Sequence, residues 1–444
     1  MFKQTTINRA YIVVGCLLLI FYIYIYNYMY FCTWDFKDDL LNNQSNSSSK
    51  RVDSIEHLIM LGDPQMEGDW RIKTQGKKGE YNIWFNDNYF KHIVSNIAYY
   101  LRPGYLFTLG DLFSSQHCND GEFVNRVQRY KRIFSPLDKY LGEGQYQMYN
   151  ITGNHDIGYA HEASPKKVDR FEESFGKVND KFFINGHLIG IVNSINLDRS
   201  KHEQLYNDSW QHLRDLKELK EQTGSPLILI THIPLHKQYN SDEEVLQETI
   251  IQEETRDIQL GKRGQKRNQN NMVNDQILFP NGHPKYKSMC TETYFIISTD
   301  DGFVKEQSML TKETSQYILD ELKPLFIFNG HDHDGCIFKH SNNYTTEYTI
   351  RSMMGDFGGY TGLFEIKKSI QSNLSVRNTE QDQPIPSELV TYEYNFKACP
   401  FIETKYINIS FGVTAGYIVS FFFYRILLYV IEKVQKKKWK VKLD

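Results

Sequence analysis

The chain has 444 residues and a formal net charge of -3, so it is close to charge balance. No stripe of Lys and Arg interleaved with aromatics occurs, which leaves nucleic acid without support as a partner. The length admits two domains or one large α/β domain with appendages, and we read a single domain.

Residues 1–10 are short and carry Lys3 and Arg9. The run 11–31, from Tyr11 to Phe31, is long and apolar enough to cross a bilayer as a helix, broken only by Gly15 and Asn27. Its second half is crowded with tyrosines, as at a membrane interface. A cleaved signal peptide would have a shorter apolar core and a small-x-small cleavage site, and Tyr28 to Trp34 offers none. The segment is therefore expected to remain as an anchor. Residues 32–51 are polar, with an Asn/Ser-rich stretch from Asn42 to Ser49, and read as a flexible tether. Sequons begin at Asn43 and Asn46, and others at Asn150, Asn207, Asn343, Asn373 and Asn408.

The globular part is expected over 52–400. Five apolar, strand-like runs punctuate it: His57 to Leu61, Tyr105 to Leu109, Gln147 to Ile151, Leu227 to Ile230 and Leu325 to Phe328. Between the first two, Phe90, Ile93, Ile97 and Leu101 keep helical spacing over Asn86 to Leu101, and Pro103 stops the pattern. Phe123, Val127, Tyr130, Phe134 and Leu137 predict a second helix, which Pro136 kinks or ends early. Lys181 to Ile184 and Leu188 to Val192 read as a hairpin turned at Asn185-Gly186. Such alternation predicts a layered α/β fold, sheet packed on sheet with helices outside. Residues 241–274 turn to Glu, Gln, Lys and Arg and read as a charged, mobile insert.

A second apolar span at 409–431, interrupted by Arg425, is followed by the basic tail 432–444. A buried or interfacial helix is the other reading of that span. Positive residues flanking both spans place the two termini in the cytosol and everything between them in a lumen. The final residues, Lys440-Val441-Lys442-Leu443-Asp444, resemble the KxKxx dilysine signal, which implies residence in the endoplasmic reticulum membrane and coat-mediated retrieval. Cys16 and Cys32 fall in or beside the first span. Cys118, Cys290, Cys336 and Cys399 remain for an oxidising lumen, with three full pairings open.

Each of the five strand-like runs is followed by a polar cluster: Asp63-Pro64-Gln65, Gly110-Asp111, Gly153-Asn154-His155-Asp156, Thr231-His232 and Gly330-His331-Asp332-His333. Singly, these have plain readings as turn residues, a satisfied core histidine at His232, or a solvent-facing Asp332. Their ordered recurrence after strands points to one site, because ligands on adjacent strand ends converge. Carboxylates and imidazoles suit divalent manganese, iron or zinc, and one carboxylate bridges two ions held about 3.5 to 4 Å apart. Asp111 is the candidate bridge. Two such ions polarise phosphoryl oxygens and activate water without a protein nucleophile.

In order, strand context and spacing, these clusters resemble the calcineurin-like metallophosphoesterase pattern. The resemblance implies a β-sandwich flanked by helices and two divalent ions. It assigns Asp63 and His333 to the first ion, Asn154, His232 and His331 to the second, and Asp111 to both. His155 would be a non-ligand histidine that protonates the leaving oxygen or steadies the phosphoryl group, with Asp156 orienting its imidazole. Gln65 stands where the pattern has a histidine. Its carbonyl oxygen would ligate a hard cation, which favours manganese, or it would contact only water held there.

Gly153 to Tyr159, Val192 to Ile195 and Thr311 to His333 narrow the resemblance to the membrane-bound branch that removes ethanolamine phosphate from the glycan of GPI anchors, and Asp-Pro-Gln is similar to its fungal members. The implied function is a dimetal phosphodiesterase acting on a mannose of the GPI glycan and supporting exit of GPI-anchored proteins from the endoplasmic reticulum. The alternatives are the same chemistry on another mannose or a lipid head group, and a non-catalytic cargo adaptor with a degenerate site.

Overall fold

The computed structural model describes residues 2–35, 50–237, 290, 294–342, 344–355, 357–372 and 388–440. The insert 241–274 and the sequons at Asn43, Asn46, Asn343 and Asn373 lie outside the described residues. The chain divides into two units, one of residues 1–31 and 402–444, the other of residues 32–401.

The larger unit is built on two sheets. In the first, β1 (Lys50–Leu61), β2 (Tyr105–Thr108) and β3 (Gln147–Asn150) run parallel. The strands β4 (Asp180–Ile184), β5 (His187–Ile191), β6 (Leu227–Ile230), β9 (Phe326–Asn329), β10 (Cys336–Lys339) and β11 (Thr346–Thr349) form the second, in the order β10-β11-β9-β6-β5-β4. A small hairpin of β7 (Ile296–Ser298) and β8 (Val304–Gln307) stands apart from both. The long antiparallel strands β12 (Tyr360–Ser372) and β13 (Glu388–Pro400) complete the first sheet as β13-β12-β1-β2-β3.

One core joins the sheets face to face. Leu58 and Met60 of β1, Phe107 of β2, Ile189 and Ile191 of β5, Ile228 and Ile230 of β6, Phe328 of β9 and Phe364 of β12 pack together in it. Ile59 and Leu61 point the other way, as period-2 geometry requires, and are equally buried. Strands covered on both faces need the continuous apolar runs seen in the sequence.

The helix expected over Asn86 to Leu101 starts earlier, at Lys77. It runs to Asn96 and widens into a last turn over Ile97–Leu101 before Pro103. The early portion carries Tyr81, Ile83, Trp84 and Phe85 but buries none of them fully, and the buried apolar spacing begins only at Tyr89 and Phe90. Asn119 caps the helix Asp120–Phe134 by accepting from the Glu122 amide at 2.9 Å. Pro136 then opens a separate short helix, Pro136–Leu141, where its missing N–H costs nothing. The Asn185-Gly186 turn has φ +47° and +81°, the two left-handed positions a tight hairpin requires.

Two readings are corrected here. Residues 32–35, expected to begin a flexible tether, are ordered within the domain. Trp34 stacks on His57 with ring centroids 3.9 Å apart and donates to the Leu101 carbonyl at 2.7 Å, so the indole is both covered and hydrogen-bonded. Cys32 also belongs to the domain's disulfide set: it bonds Cys399, while Cys290 bonds Cys336 and Cys118 stays free and buried. Cys32 lies just past the apolar run, so grouping it with the span removed it from the count.

In the smaller unit, helices Phe2–Tyr26 and Thr404–Lys440 run side by side, and both are long and apolar enough to cross a membrane. Tyr22 Oη meets Thr414 Oγ1 at 2.8 Å and Tyr417 donates to the Tyr11 carbonyl at 3.0 Å. Tyrosines thus serve the helix pair, through hydrogen bonds that water does not contest in lipid. Arg425 does not interrupt the second helix and its side chain is exposed. The sequon at Asn408 lies inside that helix.

Candidate metal centre

The five polar clusters follow the carboxyl ends of β1, β2, β3, β6 and β9, three from one sheet and two from the other. Because those strands are parallel within their sheets, their carboxyl ends share an edge and the following loops meet. Approach there is close. A side chain on Gly153 would strike the Asp111 carboxylate, and one on Gly330 would strike Asp63. Gln65, Asp111 and His331 hold φ +41°, +47° and +69°, a left-handed backbone that costs energy in residues with a Cβ. Strain placed there, within a few residues of each strand end, turns the side chains toward one another.

Asp111, His232 and His331 each offer a donor atom, and these atoms lie within 4.8 Å of one another. His232 Nε2 is 3.3 Å from Asp111 Oδ1 and 3.1 Å from Asn154 Oδ1. On the other side, His333 Nε2 lies 3.4 Å from Asp63 Oδ2. Gln65 Nε2 donates to Asp111 Oδ2 at 3.1 Å and faces His333 Nε2 at 3.0 Å. The fold therefore brings Asp63, Gln65, Asp111, Asn154, His232, His331 and His333 into one place. His155 stands at its margin, about a third exposed, with Nε2 3.8 Å from Asp111 Oδ2.

The donors suit divalent cations. Asp63, Asp111, Asn154 and His232 are almost wholly buried, and a carboxylate pair in such surroundings demands positive charge. The titration of the groups shows the same demand. Burial works against charging His232, yet the Asp111 and Asp63 carboxylates raise it above its ordinary value. His333 is raised despite burial by its contact with Asp63. His331 goes the other way, pushed down to about 4 by burial and by neighbouring His232, which keeps its imidazole neutral.

Orientation of the imidazoles comes from backbone carbonyls. His232 Nδ1 meets the Leu109 carbonyl at 2.8 Å, and His331 Nε2 meets that of Gln307 at 2.8 Å. Such contacts fix which ring nitrogen is left for a cation.

Asp156 does not orient His155, contrary to the expectation from the motif. Its carboxylate accepts from the backbone amides of Gly153 at 2.9 Å, Phe113 at 3.1 Å and Leu112 at 3.2 Å. It closes the amino end of the one-turn helix Asn154–Ile157 and ties it to the Asp111 loop, because unpaired amides there outcompete a more distant imidazole. Burial and the nearby Asp111 push Asp156 up to about 8. None of the described residues hydrogen-bonds the buried His155 Nδ1. Asp332 is buried, which excludes its plain reading as a solvent-facing residue.

Three supporting residues were given no role by the motif analysis. Ser194 Oγ accepts from the His232 and Ile233 amides at 3.2 and 3.0 Å. Asp198 accepts from the Thr311 amide and hydroxyl at 2.8 and 2.7 Å, holding the segment that begins at Gln307. Glu347 takes the Leu235 amide at 3.3 Å, Asn329 Nδ2 at 2.9 Å, Lys237 Nζ at 3.2 Å and His340 Nε2 at 2.7 Å. It joins the loop after His232 to the strand before His331. A signal existed for Glu347: a carboxylate at an inward register position of β11.

A two-sheet α/β fold with carboxylates, imidazoles and a carboxamide gathered at parallel strand ends defines a metal-dependent phosphoester hydrolase. Residues 57–261 match the calcineurin-like phosphoesterase family, and the chain has a mixed α/β metallophosphoesterase fold. It is 27% identical to an uncharacterized protein of Schizosaccharomyces pombe over 71% of this chain and 70% of that one. It is 25% identical to Protein TED1 of Saccharomyces cerevisiae, over 80% of each. Metallophosphoesterase 1 of Danio rerio is 24% identical over 74% of this chain and 73% of its own.

Proposed function

We propose that the chain is a dimetal phosphodiesterase that removes ethanolamine phosphate from a mannose of the GPI-anchor glycan. The observation that carries the hydrolytic reading is the convergence of Asp111, His232 and His331 on one point, with Asp63, Asn154 and His333 beside it. Divalent cations in that donor set, with manganese the ion we favour, supply Lewis acidity and activated water near neutral pH. Asp111 offers one oxygen to each half of the site, and Asp63 with His333 and Asn154 with His232 and His331 flank it. His155, the exposed member, delivers a proton to the departing sugar oxygen.

The choice of a diester on a GPI glycan rests on the motif resemblance over Gly153 to Tyr159 and Thr311 to His333, together with an apolar helix at each end. In this reading the domain faces the lumen of the endoplasmic reticulum, both termini are cytosolic, GPI-anchored proteins are the clients, and Lys440 and Lys442 serve retrieval by coat components.

The test is analysis of GPI glycans from cells lacking the protein, with a diester assay on the purified chain in detergent. Glycans that keep an extra ethanolamine phosphate support the reading. Unchanged glycans with an active enzyme move the same chemistry to a lipid head group. A folded chain without metal or turnover leaves the cargo adaptor, a reading kept alive by Gln65 lying between Asp111 and His333. Protease protection of the central domain in sealed microsomes and release of the Lys440→Ser, Lys442→Ser variant from early-pathway retention check the topology and the address.

A further inference from the structure

The two halves of the site are not alike, and the difference lies in one side chain. Around Asn154, His232 and His331, imidazole nitrogens and oxygens converge with nothing but one another between them. Around Asp63 and His333, the Gln65 carboxamide has already entered. Its nitrogen donates to Asp111 Oδ2 at 3.1 Å and reaches His333 Nε2 at 3.0 Å. That orientation is dictated by charge: a carboxylate only accepts, so the amide must turn its N–H group, not its carbonyl, toward Asp111. The backbone that carries the side chain is fixed, since the Gln65 main-chain N–H donates to the Asp111 carbonyl at 2.8 Å and the residue is held at φ +41°.

A hydrogen-bonded N–H group in that position does part of what a cation would do there. It places positive partial charge against the Asp111 carboxylate, with the His333 imidazole on its other side. An ion entering on that side must break both contacts, and the Gln65 side chain then offers it at best a neutral oxygen, a weaker donor than imidazole for zinc-like metals. On the Asn154 side the contacts to be broken, His232 Nε2 with Asn154 Oδ1 at 3.1 Å and with Asp111 Oδ1 at 3.3 Å, join groups that are themselves donors to the ion, whereas the Gln65 N–H group is not.

We propose that Gln65 is an internal competitor for one of the two ions, so that this chain holds a retained cation at Asn154, His232, His331 and Asp111 and an exchangeable one at Asp63, His333 and Asp111. This rests on the dimetal reading above. The exchangeable ion binds on the order of tenfold or more weakly than its neighbour. In metal-poor medium Gln65 closes the first position. Added divalent cation, or a phosphoester that brings its own oxygen donors, opens it.

The experiment is a manganese titration of the full-length chain in detergent, followed by metal content after gel filtration, calorimetry and electron paramagnetic resonance. The wild-type chain should keep one ion through gel filtration and take a second only with excess metal. The resonance signal should pass from that of an isolated ion to that of a coupled pair as it fills. Gln65→His should keep two ions through the same procedure. Gln65→Ala should bind the second ion as well as wild type or better, because it removes the competing contact. Two ions retained alike by the wild type would overturn the proposal, and so would loss of the second ion in Gln65→Ala, which would make Gln65 a ligand. Thermal melts matching wild type certify the variants as folded. A wild-type chain that retains no ion and binds none on addition of metal refutes the metal-dependent reading itself, an outcome separate from equal occupancy.

Discussion

Asp111 shows how one residue sets the terms for its neighbours. Its carboxyl should titrate high on burial alone, but His232, His155 and His331 hold it below its usual range. Asp111→Asn removes that charge while keeping the shape. Metal content and turnover should fall together, by about a hundredfold or more, in paired metal analysis and rate measurements. His155→Ala should behave differently, lowering turnover about a hundred- to ten-thousandfold with metal content intact, and less so for substrates with good leaving groups. The split between those two outcomes distinguishes a charge that holds cations from a proton donor at the margin. Both residues are legible in the sequence as polar clusters after apolar runs. The role expected for Asp156 was not, because its partners are backbone amides of Leu112, Phe113 and Gly153, and those are set by the turn geometry rather than by any side chain. The carbonyls of Leu109 and Gln307, which aim two imidazoles, likewise leave no trace in residue type.

Among the elements, strands and turns were read more accurately than their supports. The Asn185-Gly186 hairpin is an example, since only a left-handed pair of residues closes it. Gly186→Ala should cost about 1–2 kcal/mol in denaturant unfolding, because φ is +81° there and the new Cβ would press on the Tyr392 hydroxyl. Metal content should not change. The hairpin of β7 and β8, which brings the Gln307 carbonyl to His331, was missed. It is short and largely polar, with little of the apolar alternation that marks a strand.

The element β11 carries a pH prediction. Burial would raise the Glu347 carboxyl, but the Lys237 ammonium and then the His340 hydrogen bond override it and hold it at about 2. Unfolded, it titrates near the ordinary glutamate value of 4.5. Between those values the unfolded chain binds a proton that the folded chain refuses. The stabilisation from Glu347 is therefore complete above about pH 4.5 and is lost as pH falls toward 2. Glu347→Gln should lower the melting temperature at neutral pH and flatten its decline below pH 4.5, as read by calorimetric scans across that range.

At the scale of the molecule, the sequence marks the apolar helices and the parallel-strand frame because each is a long pattern. It does not mark how distant cysteines pair, which depends on where β13 brings Cys399. Cys32→Ser should destabilise the isolated fold by about 2–5 kcal/mol, with Cys118 labelling unchanged in the native state, because that thiol is buried and takes no part in either bond. Mild reduction should reproduce the loss.

The same bond has a mechanical meaning. Residues 32 and 399 mark where the chain enters and leaves the larger unit, and they are joined covalently. A pull applied between those two points runs through sulfur and stretches neither sheet. Once the bond is reduced, the same pull falls on β13, the outermost strand of its sheet, and peels it from β12 one hydrogen bond at a time. The domain can be pulled by its ends without slackening the metal-binding edge for as long as its surroundings stay oxidising.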